Sequence, residues 1–399
     1  MLVRSVTLTN GKVATTKFST SLTNESSVEA LAAEFDKNWL TLRVAPAKRG
    51  DNGKVDVADL FAGCGGLSLG IQEAARAVNK NVHFKLAMDL DQDALEIYGV
   101  NFPEADLICD NVEHHVDGEV GSPLTVAEKK LKKRIGNIDL VIGGPPCQGH
   151  SALNNHTRHV DARNELYLRM ARFCEIFSPD HVIIENVPGV IKDKSQVAQR
   201  TWEALEKLGY SVESLTINSA NIGVAQSRKR NITVASKVKE VNLETWVANL
   251  KRETRFVEWA IKDLEKIVDK KSVFDSAPTP SLTNQERMDY LFDHGLYDLP
   301  DEQRPDCHRL KDHSYNSVYG RLHWKKPSQT ITTGFGGMGR GRYVHPSRRR
   351  TITPHEAARI QFFPDFFQFK TTKRTTLQMI IGNAVPPKLG YVLGLNLFR

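Results

Sequence analysis

Two short stretches hold residue types that a protein core does not need. "GGPPCQGHS" (Gly143 to Ser151) presents Cys147 just beyond two glycines and two prolines. The preceding run Ile138, Leu140, Val141 and Ile142 reads as a short buried strand. Pro145 and Pro146 fix their own φ and push the residue before each toward extended geometry, so the thiol stands on a stiff mount. A nucleophile needs such a mount. A buried small hydrophobe, the usual fate of a free cysteine, does not. "DLFAGCGGLSLG" (Asp59 to Gly70) sets Gly63, Gly65 and Gly66 in a tight strand-to-helix turn, where backbone can approach a ligand closely. Asp89 ends the next strand, where an acid suits ribose hydroxyls, and Asp110 and Glu185 end two more. Solvated acids are ordinary one at a time. Five polar strand ends on one edge point to a nucleoside-containing ligand beside a cysteine and a carboxylate.

The elements that must position these residues alternate. "VDVADLF", "HFKLAMDL", "ADLIC", "IDLVIGG" and "HVIIENV" read as strands. Between them, "LSLGIQEAARAV", "QDALEIYGV", "ELYLRMARFCEIF" and "QVAQRTWEALEKLGY" read as helices, the first with an apolar stripe through Leu67, Ile71, Ala74 and Val78. This order predicts α/β architecture: a doubly wound, Rossmann-like parallel sheet with ligands beyond its carboxyl edge. Residues 1–54 form a polar extension with one helix, "SSVEALAAEFDKNWL", and Ser26 with Glu29 as a capping box. Residues 55–236 hold the alternation. Residues 237–345 are irregular and read as a second, smaller domain, and 346–399 return to helical patterns. A Lys-rich insertion, "VAEKKLKKR", reads as a surface helix.

The chain has 399 residues and a formal net charge of +7. Residues 321–350 contain Arg321, Lys325, Lys326, Arg340, Arg342, Arg348, Arg349 and Arg350 and no acid, so one stretch holds the whole excess. A polyanionic partner explains that concentration better than a solvated face. A GxGxxG at Gly334, Gly336 and Gly339 lacks a following helix, so it is not a phosphate cradle; a flexible loop approaching nucleic acid fits it better. The five cysteines form no CxxC pair, which predicts a reduced, cytoplasmic protein with no metal centre. No long apolar run predicts a membrane span.

Taken together, six ordered motifs resemble the C5-specific DNA cytosine methyltransferase family, of the bacterial restriction–modification type. These are "DLFAGCGG", "GGPPCQGHS", "ENV" (Glu185 to Val187), "QSRKR" (Gln226 to Arg230), "RRRTITPHEAARIQFFPD" (Arg348 to Asp365) and "GNAVPP" (Gly382 to Pro387). The resemblance implies S-adenosyl-L-methionine as cofactor and double-stranded DNA as partner. It implies a methyltransferase sheet with a target-recognition domain at 237–345. It makes Cys147 the nucleophile that adds to C6 of a flipped-out cytosine. Glu185 handles a proton at N3, Arg228 contacts the base O2 and Arg230 orients the catalytic groups. For the cofactor it implies Asp59, Phe61 against the adenine, Gly63, Gly65, Gly66, Asp89 on the ribose, Leu90 where many members carry an aromatic, and Asp110 on the adenine amino group. Pro146, Asn383 and Val385 complete that set. It also implies a monomer, and a cognate restriction endonuclease in the same system without a direct complex.

Three other readings fit the residues less well. An RNA (tRNA) cytosine-5 methyltransferase of the same fold matches the loop "PPCQGHS" less closely. A nicotinamide-dependent dehydrogenase leaves Cys147, Glu185 and "QSRKR" without roles. A non-catalytic DNA-binding regulator fits poorly with intact Cys147, Glu185 and Arg228.

Overall fold

The computed structural model describes residues 2–7, 11–18, 27–47, 51–146, 165–267, 269–309 and 317–399. Cys147 lies outside them, as does Ser26 of the expected capping box. In chain order, β1 (Leu2–Thr7), β2 (Val13–Phe18) and α1 (Ser27–Thr41) come first. An alternating run follows: β3 (Lys54–Leu60), α2 (Gly66–Ala77), β4 (Asn81–Asp89), α3 (Gln92–Asn101), β5 (Asp106–Cys109), α4 (Val126–Ile135), β6 (Leu140–Gly143), α5 (Leu166–Phe177), β7 (His181–Asn186) and α6 (Val197–Lys207). Then come β8 (Ser211–Asn218), β9 (Gln226–Ser227), β10 (Lys229–Ser236), α7 (Leu243–Asn249), α8 (Val257–Ile261), α9 (Leu282–Asp293) and α10 (Asp306–Arg309). The last elements are β11 (Ser328–Gln329), α11 (Pro354–Ile360), α12 (Arg374–Asn383) and α13 (Pro387–Phe398). The chain divides into two compact units.

One unit comprises Pro46–Ile222, Lys229–Lys251 and Val385–Arg399. Its seven-stranded sheet has the order β5-β4-β3-β6-β7-β10-β8. Neighbours from β5 to β7 are parallel, as the alternation predicts. Val57, Leu60, Leu86, Val141, Ile142, Ile183 and Ile184 are fully buried, as expected for strands covered on both faces. The sheet is not wholly parallel: β10 runs antiparallel to both β7 and β8. The alternation pattern missed β8 because its side chains are mostly half-buried, so it lacks an apolar run. Direction matters here. An antiparallel β10 begins where β7 ends, with Asn231 opposite Asn186. The Lys-rich insertion is helix α4, capped reciprocally by Thr125 and Glu128. Glu128 is fully buried and paired with Arg172 at 2.6 Å. Helices α2 and α13 meet backbone to backbone: a Cβ on Gly70 would lie 2.0 Å from the Pro387 carbonyl oxygen.

The other unit comprises Met1–Ala45, Gly223–Arg228 and Arg252–Ala384. A buried chain of charges runs through it. Lys37 on α1 donates to Asp263 at 2.7 Å and to the carbonyls of Trp259 and Ala260 at 2.8 and 3.2 Å. Arg359 joins Asp263 to Asp365, and His355 donates from its two ring nitrogens to Asp365 and Asp275 at 2.9 and 2.8 Å. Glu29 pairs with Arg255 at 2.6 Å.

The basic stretch is less available to a polyanion than its composition suggested. Acids from elsewhere in the unit reach most of it: Asp298 binds Arg342, Asp289 and Asp293 bind Arg349, Glu356 binds Arg350, and Glu258 binds Lys325. Arg321 lies over the rings of Phe292 and Tyr297. Arg340 is exposed and meets no acid among the described residues. The GxGxxG loop is also not free backbone. Cβ atoms on Gly334 and Gly336 would lie 2.7 Å from Arg340 Cβ and 1.9 Å from Gln378 Nε2, so its glycines serve internal packing.

Candidate active site

The carboxyl ends of five parallel strands form one edge. Leu60 lies opposite Met88 and Gly143, Asp89 opposite Cys109, and Gly143 opposite Ile184. The residues that follow each strand therefore share that edge, which is where an open α/β sheet binds ligands.

At β3 the chain turns sharply into α2. Gly63 and Gly65 have φ of 52° and 88°, left-handed values that disfavour a side chain. Phe61 shares that region at φ 58°, a strain of about 1–3 kcal/mol for a residue with a side chain. A Cβ on Gly65 would strike Phe102 at 2.5 Å, whereas one on Gly63 would meet nothing within 4 Å. Gly65 thus packs inward and Gly63 faces open space. The Gly63 and Asp91 N–H groups donate to the two carboxylate oxygens of Asp89, at 2.8 and 2.9 Å. Burial pushes the Asp89 carboxyl up, against those backbone bonds. Leu90 beside it is 69% exposed, an apolar side chain left uncovered next to the acid.

Asp59 stands differently. It is buried at 2% exposure and accepts from Ser68 Oγ at 2.6 Å, and Ser68 is 2.9 Å from Tyr98 Oη. Burial lifts its pKa to about 8. Asp110 has both carboxylate oxygens engaged, by His114 Nδ1 at 2.9 Å and His115 Nε2 at 3.0 Å. The bonds from His114 and from the Asn111 N–H hold its carboxyl below the usual range.

At β7 the geometry tightens. Glu185 is 8% exposed, and Arg230 Nε donates to its Oε1 at 2.7 Å. Its Oε2 lies 3.3 Å from where a Gly144 Cβ would stand. Asn186 Nδ2 donates to the Pro145 carbonyl at 3.3 Å. A Cβ on Gly143 would lie 2.7 Å from the Leu60 carbonyl oxygen. The glycine–proline loop is thus fastened to the end of β7, with Pro146 partly buried and Cys147 the next residue in the chain.

Arg228 belongs to the other unit, is 2% exposed, and its Nη1 donates to the carbonyls of Ile331 and Gly382 at 3.0 and 3.4 Å. Asn383 closes α12 with its side chain exposed, and Val385, two residues on, is partly buried. Sequence reasoning missed Ser68, Tyr98, Asn186 and Gln361. Ser68, Asn186 and Gln361 each lie inside a quoted motif, "DLFAGCGGLSLG", "ENV" and "RRRTITPHEAARIQFFPD", whereas Tyr98 carried no signal. The edge thus has open space over Gly63 beside the backbone-anchored Asp89, and the Glu185–Arg230 pair at the end of β7. No cluster of three or more potential metal ligands occurs among the described residues.

These features define the class: a doubly wound α/β fold that gathers glycine turns, acids and an arginine–glutamate pair along one sheet edge. The profile of the C-5 cytosine-specific DNA methylases matches residues 55–399, and the chain belongs to that family. It is 45% identical over 399 residues to the Type II methyltransferase M1.BsuMI of Bacillus subtilis (strain 168), covering 100% of this chain and 93% of that one. It is 29% identical to the Type II methyltransferase M.DdeI of Desulfomicrobium norvegicum, covering 85% of this chain and 87% of that one. Among solved structures, a protein described as a prophage-encoded DNA modification methyltransferase from E. coli superposes with TM-score 0.64 at 24% identity. It covers 86% of this chain and 98% of that one, and shows the fold. The family favours DNA over the tRNA alternative. Among the described residues, no helix is long and apolar enough to cross a membrane.

Proposed function

We propose that this chain methylates C5 of a cytosine flipped out of a specific sequence in double-stranded DNA, through a covalent bond from Cys147, as the modification enzyme of a restriction–modification system. The observation that carries the reading is Glu185, held by Arg230 against the loop that leads into Cys147.

The residues at the first glycine turn fit S-adenosylmethionine: open space over Gly63, the backbone-anchored Asp89 and the uncovered Leu90 suit a ribose and an apolar adenine face. Phe61, Gly65, Gly66, Asn383 and Val385 would complete the binding. Asp59 would brace the turn through Ser68, and Asp110 would reach the adenine through a carboxylate already ordered by two histidines. When bound, S-adenosylmethionine supplies the methyl group that C5 takes.

The chain's own residues do the rest. The Cys147 thiolate adds to C6, which breaks the ring's aromaticity and makes C5 enamine-like. Glu185 delivers a proton to N3 and neutralises the charge pushed into the ring. Arg230, fixed on that carboxylate, sets its orientation. After methyl transfer a base removes the C5 proton, the C5–C6 double bond re-forms as the thiolate leaves, and the N3 proton returns to Glu185. None of this is possible inside a stacked duplex, so the base must be extruded. Residues 237–345 would choose the sequence. A restriction endonuclease of the same specificity would act in the same system.

The test is incubation with methyl-labelled cofactor and duplex DNA, RNA or no acceptor. Label should enter DNA alone, at one sequence context. Labelled RNA with unlabelled DNA would reject the reading.

A further inference from the structure

The structure assigns Arg228 and Gln361 a shared role as positioning residues, which hold the end of α12 and so set the Asn383–Val385 turn. The inference rests on the reading above that this turn helps hold S-adenosylmethionine.

The last four carbonyls of a helix have no partner within it. In α12 the Ala384 N–H takes the Ile380 carbonyl. The next two are capped by side chains from distant segments. Gln361 Nε2 donates to the Ile381 carbonyl at 2.6 Å and reaches the Ala384 carbonyl at 3.5 Å. Arg228 Nη1 donates to the Gly382 carbonyl at 3.4 Å. A cation at this end also complements the negative pole of the helix. Ile381, Gly382 and Gln361 are buried, so water is a poor substitute for these caps.

The caps are themselves held. Gln226 Nε2 donates to Gln361 Oε1 at 2.7 Å, and the Ile331 N–H donates to Gln226 Oε1 at 2.8 Å. Arg228 also donates to the Ile331 carbonyl at 3.0 Å, so both backbone groups of Ile331 are used. A Cβ on Gly382 would lie 2.3 Å from the Thr333 nitrogen, so the helix end sits flush against that backbone. Segments 226–228, 331–333, 361 and 381–384 form one buried polar knot. Asn383 emerges from it with its side chain exposed. The resemblance gave Arg228 a contact to the base O2, but its Nη1 is engaged with two carbonyls. The Glu185 carboxylate, which the reading above sets against the base, is held by Arg230.

The experiment measures S-adenosylhomocysteine binding to the full chain by calorimetry, without DNA. Covalent trapping on 5-fluorocytosine duplex DNA at saturating S-adenosylmethionine is measured in parallel. Arg228→Met and Gln361→Met should each weaken S-adenosylhomocysteine binding by roughly tenfold or more, the effect of losing a buried cap. Trapping at saturation should persist. Arg228→Lys keeps a cation at the helix end and should recover most of the affinity. Near-normal S-adenosylhomocysteine affinity in Arg228→Met, with trapping lost, would make Arg228 a base contact and overturn the inference. If Arg228→Met does not fold, unchanged affinity in Gln361→Met overturns it equally. A wild-type chain that binds no S-adenosylhomocysteine fails differently: it rejects the cofactor reading itself.

Discussion

At the residue scale the site rests on two groups with unequal visibility. Cys147 follows a stiff loop fastened to β7 by Asn186 and packed on Glu185. Cys147→Ser should abolish methyl transfer while DNA binding persists, because a hydroxyl at neutral pH is far less nucleophilic than a thiolate. Turnover assays and gel-shift binding on one preparation check this. Glu185→Gln keeps the volume and can donate to N3 but cannot deliver a proton. Single-turnover methylation should fall by about 10²–10⁴-fold with little change in thermal unfolding. The arginines of the basic stretch separate in the same way. Arg342 is bound to Asp298 and to the carbonyls of Tyr297 and Arg321. Arg342→Ala should therefore cost stability. Arg340→Ala should instead weaken DNA binding to all sequences and lower the salt slope by about one unit if it contacts one phosphate. Composition marked both residues equally; only their partners tell them apart.

At the element scale, the strand-to-helix alternation was readable because each of β3 to β7 is a short apolar run with a helix between. β8 was not, because a half-buried strand loses the apolar signal; β10 was not, because Asn231, Thr233 and Ser236 break up its buried run, and pairing direction leaves no trace in composition. Yet β10's direction decides which side chain meets Glu185. It carries Arg230 to the edge where Glu185 ends β7. Helix packing gives a sharper test. Gly70 and Gly390 let α2 and α13 touch, and a Cβ on Gly70 would lie 2.0 Å from one backbone atom and 2.6 Å from another. Backbone cannot rotate aside as a side chain can. Gly70→Ala should destabilise the chain by about 1–3 kcal/mol or more, read by urea unfolding.

At the scale of the whole molecule, the N-terminal segment is part of a larger unit. Lys37 is 1% exposed and is held by Asp263 and two carbonyls of the segment around α8. Exchanging 252–345 alone for a related region should strand that buried charge and lower the Tm. Exchanging 27–45 with it should restore the Tm, and the methylated sequence should follow the exchanged unit. The same network sets a pH dependence. Burial opposes charge on Asp365, but Arg359 and His355 outweigh it and hold the carboxyl below its ordinary 3.8. Its contribution is present above that value and lost as pH falls below it. Burial likewise opposes charge on His355, but Asp365 and Asp275 hold it above 6.5, so its contribution is present below 6.5 and lost as pH rises through the higher folded value. Asp365→Asn should cost about 3–5 kcal/mol at pH 7, and the gap to wild type should begin to close as pH falls through 3.8. Urea unfolding across pH checks both.

The sequence by itself determined the α/β class and the residue types at each strand end, which point to the carboxyl edge as the proposed site. Those follow from local rules: strand and helix periods, glycine and proline geometry, and the chemistry of a thiol beside acids. It could not place Arg228 and Arg230, two residues apart in one motif, in different surroundings. Nor could it show that the acids neutralising the basic stretch, or the carbonyls capped by Arg228 and Gln361, come from segments far away in the chain. Such pairings depend on which distant backbone groups and charges packing brings within about 3 Å of each other. No local pattern encodes that, so only the tertiary structure decided it.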